Sequence, residues 1–270
     1  MPLTQILKLL RNWRFRLTHQ AQAYINDTVV PNLPSNVAIQ DYALSQTEAT
    51  HLLKYLNSDA ISYIYSAIVS IGDANVSLKQ GLFTWSTVKL YYATFYAIRA
   101  FLALDNICIF YVKTKPYAIK VNPGSSPQKR EGQTHKIILK EFRNRNPEHF
   151  LLSQEIDFED PLIWLMNKRE EANYKAAKFC EPDIPKHFQQ IIKFSLRKAI
   201  KEYLLDSSSL YTFDADHAIL AYPLKTIQLV YEKTLTTNNF CFKNDEIKYL
   251  RKLFRDKNGP IPEIYNLFKN

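Results

Sequence analysis

Residues 83–104 read F-T-W-S-T-V-K-L-Y-Y-A-T-F-Y-A-I-R-A-F-L-A-L. At helical pitch Trp85, Tyr91, Tyr92, Phe95, Tyr96, Ile98, Phe101 and Leu104 fall on nearly every side. A helix without a polar face must be buried, so an all-α chain packed around this segment is expected. Ser86, Ala93, Ala97 and Ala100 form a stripe of small side chains where another helix can approach closely. Arg99 is the exception, and its ordinary role in such a helix is that of a buried or rim ion-pair partner. Leu90–Val112 is long and apolar enough to suggest a membrane span, but it contains Arg99 and Asp105. Each would cost about 2.5–3.5 kcal/mol near a bilayer centre, so a buried helix followed by a loop is expected instead, with no membrane.

Upstream, Ser58 is a plausible N-cap for a helix carrying Ile61, Ile64, Tyr65, Ile68 and Ile71, which Gly72 is expected to bend or end. Residues 3–25 predict a basic amphipathic helix with Ile6, Leu7, Leu10, Trp13 and Leu17 on one side. It either docks on the rest of the chain or binds an acidic partner. Pro31 and Pro34 then mark a linker. Downstream, Asn106–Gln133 breaks the helical pattern. Ile107–Val112 is β-prone, and Pro116, Pro123, Gly124, Ser125, Ser126 and Pro127 signal a loop, with room for a small hairpin. A helix is predicted from Thr134, whose hydroxyl can cap it, with Ile138 and Phe142 inward. Further helices are predicted from Pro161, behind Glu159 and Asp160, to before Pro182, and from Pro185 to Leu205 with Phe188, Ile192, Ala199 and Tyr203 on one face. The tail offers a helix interrupted by Pro223 and a last one after Asn244 with Ile247, Leu250 and Phe254.

Composition narrows the function. The 270 residues are 46% apolar and 23% charged, which is ordinary for a globular protein with a real core. Five glycines, with neither G-x-G-x-x-G nor G-x-x-x-x-G-K-[ST], disfavour Gly-rich nucleotide loops. A net charge of +9 favours polyanionic partners, nucleic acid first. Cys108, Cys180 and Cys241 are too far apart for a zinc site and too few for a disulfide framework, so a reducing cytoplasm is expected. Lys8, Arg11, Arg14 and Arg16 interrupt the first apolar stretch and argue against a signal peptide.

Positive charge is densest between Asn106 and Arg145. Lys113, Lys115, Lys120, Lys129, Arg130, Lys136, Lys140, Arg143 and Arg145 face only Glu131 and Glu141 as acids, with Phe110, Tyr111 and Tyr117 interleaved. Cations for phosphates beside aromatic rings for stacking are the composition of a single-stranded nucleic-acid surface. The same letters also describe a solvated charged loop. Within this window stands Arg130-Glu-Gly-Gln-Thr-His135, directly at a predicted helix start.

The segment Trp85–Leu104 resembles the second helix of HEPN domains. Thr134-His135-Lys136 is similar to the opening of their third, and Arg169-Glu-Glu-Ala-Asn-Tyr174 to the pattern of arginine, two residues and Ala-Asp-Tyr in their fourth. The matches occur in the family's order over roughly residues 58–205. The resemblance implies an antiparallel helical bundle over 46–206 with the insertion 106–133. Residues 1–45 then form a basic helix and linker, and 207–270 a C-terminal helical extension. It also implies a metal-independent endoribonuclease without cofactor, dimeric, of the toxin or antiviral-defence kind, with an antitoxin or other partner protein. Arg130 and His135 take the places of the family's catalytic arginine and histidine, with Gln133 and Thr134 supporting them. Lys113, Lys115, Lys120, Lys129, Lys136, Lys140, Tyr111 and Tyr117 would hold RNA. Glu131 departs from the polar neutral residue common after that arginine. Some family members only bind or scaffold, and that alternative stays open here.

The chemistry suits the pair. RNA cleavage without metal needs a base for the 2′-hydroxyl proton, an acid for the leaving oxygen and cationic help at the phosphate. Histidine can take either proton role, and arginine offers a fork matched to phosphate oxygens. A helix start adds oriented N–H groups. One histidine cannot be base and acid in a single concerted step, so a composite site across a two-fold dimer is expected. Asp214-Ala-Asp-His217 looks metal-like but reads better as a polar helix start. His19, His51, His149 and His187 have no patterned partners in the sequence.

Overall fold

The computed structural model describes residues 19–235 and 242–267. Among them the chain is mostly helical with a small antiparallel sheet. It divides into two compact units, each discontinuous in sequence. Among the described residues one takes 19–62 together with Leu102–Ile138, and the other Tyr63–Phe101 together with 139–235 and 242–267. Ile6, Leu7, Leu10, Trp13 and Leu17 of the expected N-terminal helix lie outside the described residues.

In the first unit, α1 (Gln20–Tyr24) runs into a π-helical turn, Ile25–Val29. The Asp59 carboxylate accepts from the N–H groups of Gln20 (2.7 Å) and Ala21 (3.0 Å), supplying the cap that α1 lacks locally. Helix α2 (Gln46–Lys79) starts well before Ser58. Ser45 and Glu48 form a capping box, with Glu48 N–H on Ser45 Oγ (3.2 Å) and Ser45 N–H on Glu48 Oε2 (2.9 Å). Ala49, Leu52, Leu56 and Ala60 follow at helical spacing and are buried in one core with Ile25, Phe110 and Ile119.

The segment after Asn106 folds as three strands, β1 (Ile107–Val112), β2 (Lys115–Lys120) and β3 (Gln128–Lys129), in that order and antiparallel. Ile107 pairs with Lys120, Val112 with Lys115 and Tyr117 with Lys129. Gln22 clamps the edge of β1: its Nε2 donates to Tyr111 C=O (2.8 Å), and its Oε1 accepts the Tyr111 N–H (2.7 Å). The proline-rich link between β2 and β3 is held by Leu44, which donates to Ser125 C=O (3.0 Å) and accepts from Gly124 N–H (2.8 Å).

In the second unit α2 continues past Gly72 to Lys79, contrary to the expected bend. A Cβ at Gly72 would lie 2.7 Å from Leu253 Cβ, so the missing side chain admits a neighbour rather than breaking the helix. Gly81, at φ 74°, ends the run, with Leu82 N–H on Ser77 C=O (3.0 Å). Helix α3 (Phe83–Leu104) is capped from a distance by Glu181, whose carboxylate takes both the N–H and the hydroxyl of Thr84 (2.7 Å each). Ser86 Oγ stands 3.4 Å from Ala74 C=O, so the small-residue stripe receives α2.

Helix α3 is not buried all round. Trp85 is 46% exposed, and Lys89, Tyr92, Tyr96 and Arg99 continue the same stripe half-buried. Arg99 has an aromatic partner where a carboxylate was expected: its guanidinium lies 4.2 Å from the Tyr63 ring centroid and donates to Tyr63 Oη (2.7 Å).

Helix α4 (Thr134–Arg145) is followed by α5 (Pro161–Glu170), capped by Asp160 through the N–H groups of Leu162 and Ile163. A π-helical turn, Glu171–Lys175, ends this run earlier than Pro182. The predicted helix 185–205 is two helices, α6 (Lys186–Phe194) and α7 (Leu196–Leu205), broken at Ser195 with φ 67°. After the short α8 (Leu210–Phe213), α9 (Ala218–Leu235) passes through Pro223 without interruption. Helix α10 (Asn244–Leu253), a hairpin of β4 (Arg255–Asp256) and β5 (Gly259–Pro260), and α11 (Pro262–Tyr265) complete the unit. Arg197 of α7 ties the hairpin down, donating to both Asp256 oxygens (2.9 Å each) and to the carbonyls of Gly259 and Pro260.

Candidate nucleic-acid site

Arg130 follows β3 directly, and its N–H donates to Pro116 C=O (2.8 Å), adding one bond to the β2–β3 ladder. Its guanidinium donates to Lys129 C=O (3.1 Å) and Gln128 Oε1 (2.9 Å), so the fork lies along its own strand. Glu131, Gly132 and Gln133 then turn the chain into α4. Gly132 sits at φ 111°, a conformation that L side chains rarely adopt. Gln133 occupies the cap position, its C=O accepting from Ile137 N–H (3.0 Å), and His135 is the second residue of the helix.

Thr134 does something other than the expected capping. It is the first helical residue, and its hydroxyl shares a 2.6 Å hydrogen bond with Tyr111 Oη at the end of β1. The stretch from Arg130 to His135 is therefore fastened at both ends to one small sheet, by the Arg130 backbone to β2 and by Thr134 to β1. Both Arg130 and His135 are half-buried.

Lys113, Lys115, Lys120, Lys129, Lys136 and Lys140 are all exposed. Lys113, at φ 55°, lies in the hairpin turn and Lys115 follows it, while Lys120 closes the other end of β2 with its ammonium on Asp105 C=O. Five residue steps along a strand separate Lys115 from Lys120 by about 16 Å, so these cations form two groups rather than one row. Lys136 and Lys140 stand one helical turn apart on α4. Two of the other cations in this window are neutralised: Arg145 holds buried Glu141 (2.9 Å), and Arg143 holds Asp160 (3.3 Å).

Tyr117 requires a correction. It is 6% exposed, with its ring stacked on Phe110 at 5.7 Å and 21° in the core of the first unit. The register sets Phe110 opposite Tyr117 on one face of the hairpin, and that face is the one that packs inward. Its ring offers no face to a base. Tyr111 is half-buried with its hydroxyl engaged.

The segment around Arg169 meets the aromatic helix directly, the Arg169 guanidinium lying 4.8 Å from the Tyr91 ring centroid and bonding Glu170 (3.2 Å). Tyr174 is 76% exposed. Asp214 and His217 form a helix start, as the sequence suggested. Asp214 accepts from Asp216 N–H (2.9 Å), and His217 Nδ1 pairs with Tyr203 Oη (2.7 Å). Among the described residues no group of three or more His, Cys, Asp or Glu is placed to hold a metal ion, and no helix is long and apolar enough to cross a membrane. Sequence reasoning missed His187, which meets Thr87 across a hundred positions of chain (3.3 Å). No local spacing could have signalled that pairing. No protein-family model, curated protein or solved structure matches the chain.

Proposed function

We propose that the chain is a metal-independent endoribonuclease with a HEPN-like helical bundle, and that Arg130 and His135 are its catalytic pair. One observation carries the reading: the Arg130–His135 segment spans from a sheet edge to a helix start and is tied to that sheet at both ends. Such anchoring steadies the helix start that carries His135, and the N–H groups of a helix start favour a phosphodiester's negative charge. His135 takes the 2′-hydroxyl proton, and the freed oxygen attacks phosphorus. The 5′-oxygen leaves with a proton from the second His135 of a homodimer, so a 2′,3′-cyclic phosphate and a 5′-hydroxyl result. Arg130 stabilises the crowded phosphate. The exposed lysines on the hairpin and α4 supply sequence-independent affinity for RNA. The Arg169–Tyr91 contact supports the family resemblance, because it joins two of the segments that carry it. A toxin or antiviral effector restrained by an antitoxin or other partner fits this chemistry.

A second reading has its own support. The Arg130 fork is engaged on Gln128 and Lys129, and Glu131 puts a carboxylate beside it. Both features suit a non-catalytic RNA-binding or scaffold module. Purified protein incubated with mixed RNA in EDTA, alongside His135→Ala and Arg130→Ala, separates the two. Cleavage to cyclic-phosphate ends that both substitutions abolish supports the nuclease. RNA left intact by all three, or cut equally by all three, overturns it, and intact RNA that remains bound supports the module.

A further inference from the structure

The second unit holds a cleft of about 300 Å³ between the start of α3, the end of α5 and the start of α6. Its walls are mainly apolar, formed by Ala172, Ala176, Phe179 and Pro185. At one rim Phe179 packs edge-on against Trp85 at 5.9 Å, and both rings remain about half exposed (51% and 46%). A concave, mostly apolar space of this size with a few polar groups is the usual form of a small-molecule site.

The polar groups at this cleft are specific in kind. Thr87 has one hydroxyl proton and donates it to Phe83 C=O (3.0 Å). Its contact with His187 Nε2 (3.3 Å) is satisfied together with that bond when the imidazole N–H donates. In the tautomer that satisfies both contacts, Nδ1 is left as the acceptor nitrogen of a cleft-lining side chain. Burial and then the charge of Lys168 depress the His187 pKa to about 4, so the ring stays a neutral acceptor at physiological pH. Two ammonium groups line the same cleft, on Lys168 and Lys178, against one carboxylate, Glu171, which Lys168 neutralises (3.0 Å). Lys178 is exposed and makes no ion pair among the described residues, while the Glu181 carboxylate behind the lining is taken up by Thr84 and Cys180.

We infer that this cleft is a binding site for a small aromatic carboxylic acid whose ring carries an N–H or O–H donor. The flat ring lies among Ala172, Ala176 and Phe179, the donor meets His187 Nδ1, and the carboxylate meets Lys178. The site is independent of Arg130 and His135, so it stands or falls separately from the nuclease reading.

Indole-3-acetate is a suitable probe, with indole-3-acetamide, tryptamine and 1-methylindole-3-acetate as its neutral, cationic and donor-less counterparts. Calorimetric titration of the intact chain should show indole-3-acetate binding best. Loss of one charge-assisted or neutral hydrogen bond is worth about tenfold in affinity. Lys178→Ala should therefore weaken indole-3-acetate about tenfold while leaving the amide unchanged, and 1-methylindole-3-acetate should bind about tenfold more weakly to the wild type. Ala176 is exposed, so Ala176→Trp should fill the cleft and abolish binding with the thermal midpoint preserved. No detectable binding of indole-3-acetate in the millimolar range overturns the proposal. So does tryptamine binding as well as the acid, or Ala176→Trp binding as well as the wild type.

Discussion

Tyr111 and Thr134 join their hydroxyls across 2.6 Å, and this bond connects the end of β1 to the first turn of α4. Tyr111 is also held through its backbone by Gln22, so the anchor on the sheet side is rigid. Tyr111→Phe keeps the ring and removes the bond, which should cost about 1 kcal/mol of stability. Amide hydrogen exchange should accelerate between residues 131 and 138 and stay unchanged in α9. RNA cleavage should fall severalfold while binding through the exposed lysines persists. Unaltered exchange across this stretch would show that the bond does not hold the segment.

Gly72 illustrates a residue whose meaning depends on its neighbour. In an exposed helix interior Gly→Ala stabilises by about 1 kcal/mol. Here the new Cβ would stand 2.7 Å from Leu253 Cβ and 2.9 Å from its Cδ1. Overpacking of that kind costs about 1–3 kcal/mol, so Gly72→Ala should destabilise on balance. Leu253→Gly alone opens a cavity but removes the clashing Cβ, so the double variant should cost clearly less than the sum of the two in denaturant unfolding. Strict additivity would contradict the contact.

The aromatic helix was legible because its apolar letters exceed one face, a pattern few other environments accept. Its length and caps were less legible, because Glu181 caps Thr84 and Asp59 caps α1 from distant parts of the chain. The half-exposed stripe from Trp85 to Arg99 was hidden for a related reason: tyrosine and tryptophan serve both core and surface, and only packing decides. Composition likewise cannot tell a stacking tyrosine from a core one. The register that sends Tyr117 inward beside Phe110 is a property of strand pairing. The position of His135 at a helix start could be read locally, since Thr134 precedes an apolar helical pattern. The cleft around His187 could not, because Thr87, Lys168 and Lys178 converge on it from three separate elements.

Arg197 binds both oxygens of Asp256 and two hairpin carbonyls, a geometry only a planar fork can satisfy. Arg197→Lys keeps the charge but should destabilise by about 1 kcal/mol and speed hydrogen exchange in residues 255–260. The hydrogen bonds from Arg197 hold the Asp256 carboxyl down at about 2, below its ordinary 3.8. A depressed acid contributes stability above its unfolded value, and that contribution is lost as pH falls from 3.8 toward 2. Asp256→Asn should therefore weaken the protein at pH 7 and flatten this lowest part of its acid-unfolding profile. An Arg197→Lys variant as stable as the wild type would show that the fork adds nothing.

His187 should lower stability at mildly acid pH. Burial, and secondarily Lys168, lowers its pKa from 6.5 to about 4, so the folded chain resists a proton that the unfolded chain accepts. Above 6.5 both states are neutral at this residue and it contributes no pH dependence. As pH falls from 6.5 the unfolded state is progressively favoured, and below about 4 both states are protonated and the loss is complete. Each unit of depression corresponds to about 1.4 kcal/mol, so the step from pH 7 to pH 5 should remove up to about 2 kcal/mol, less where the cleft admits water. Glu181 and Asp206 have lowered values and lose their protective contributions below this window, so comparison with a His187 variant reads the part that His187 itself contributes. Urea unfolding of the wild type and of His187→Gln at both pH values measures the difference. The variant should be nearly flat where the wild type declines. Parallel declines in the two proteins would mean that His187 takes its proton as readily folded as unfolded.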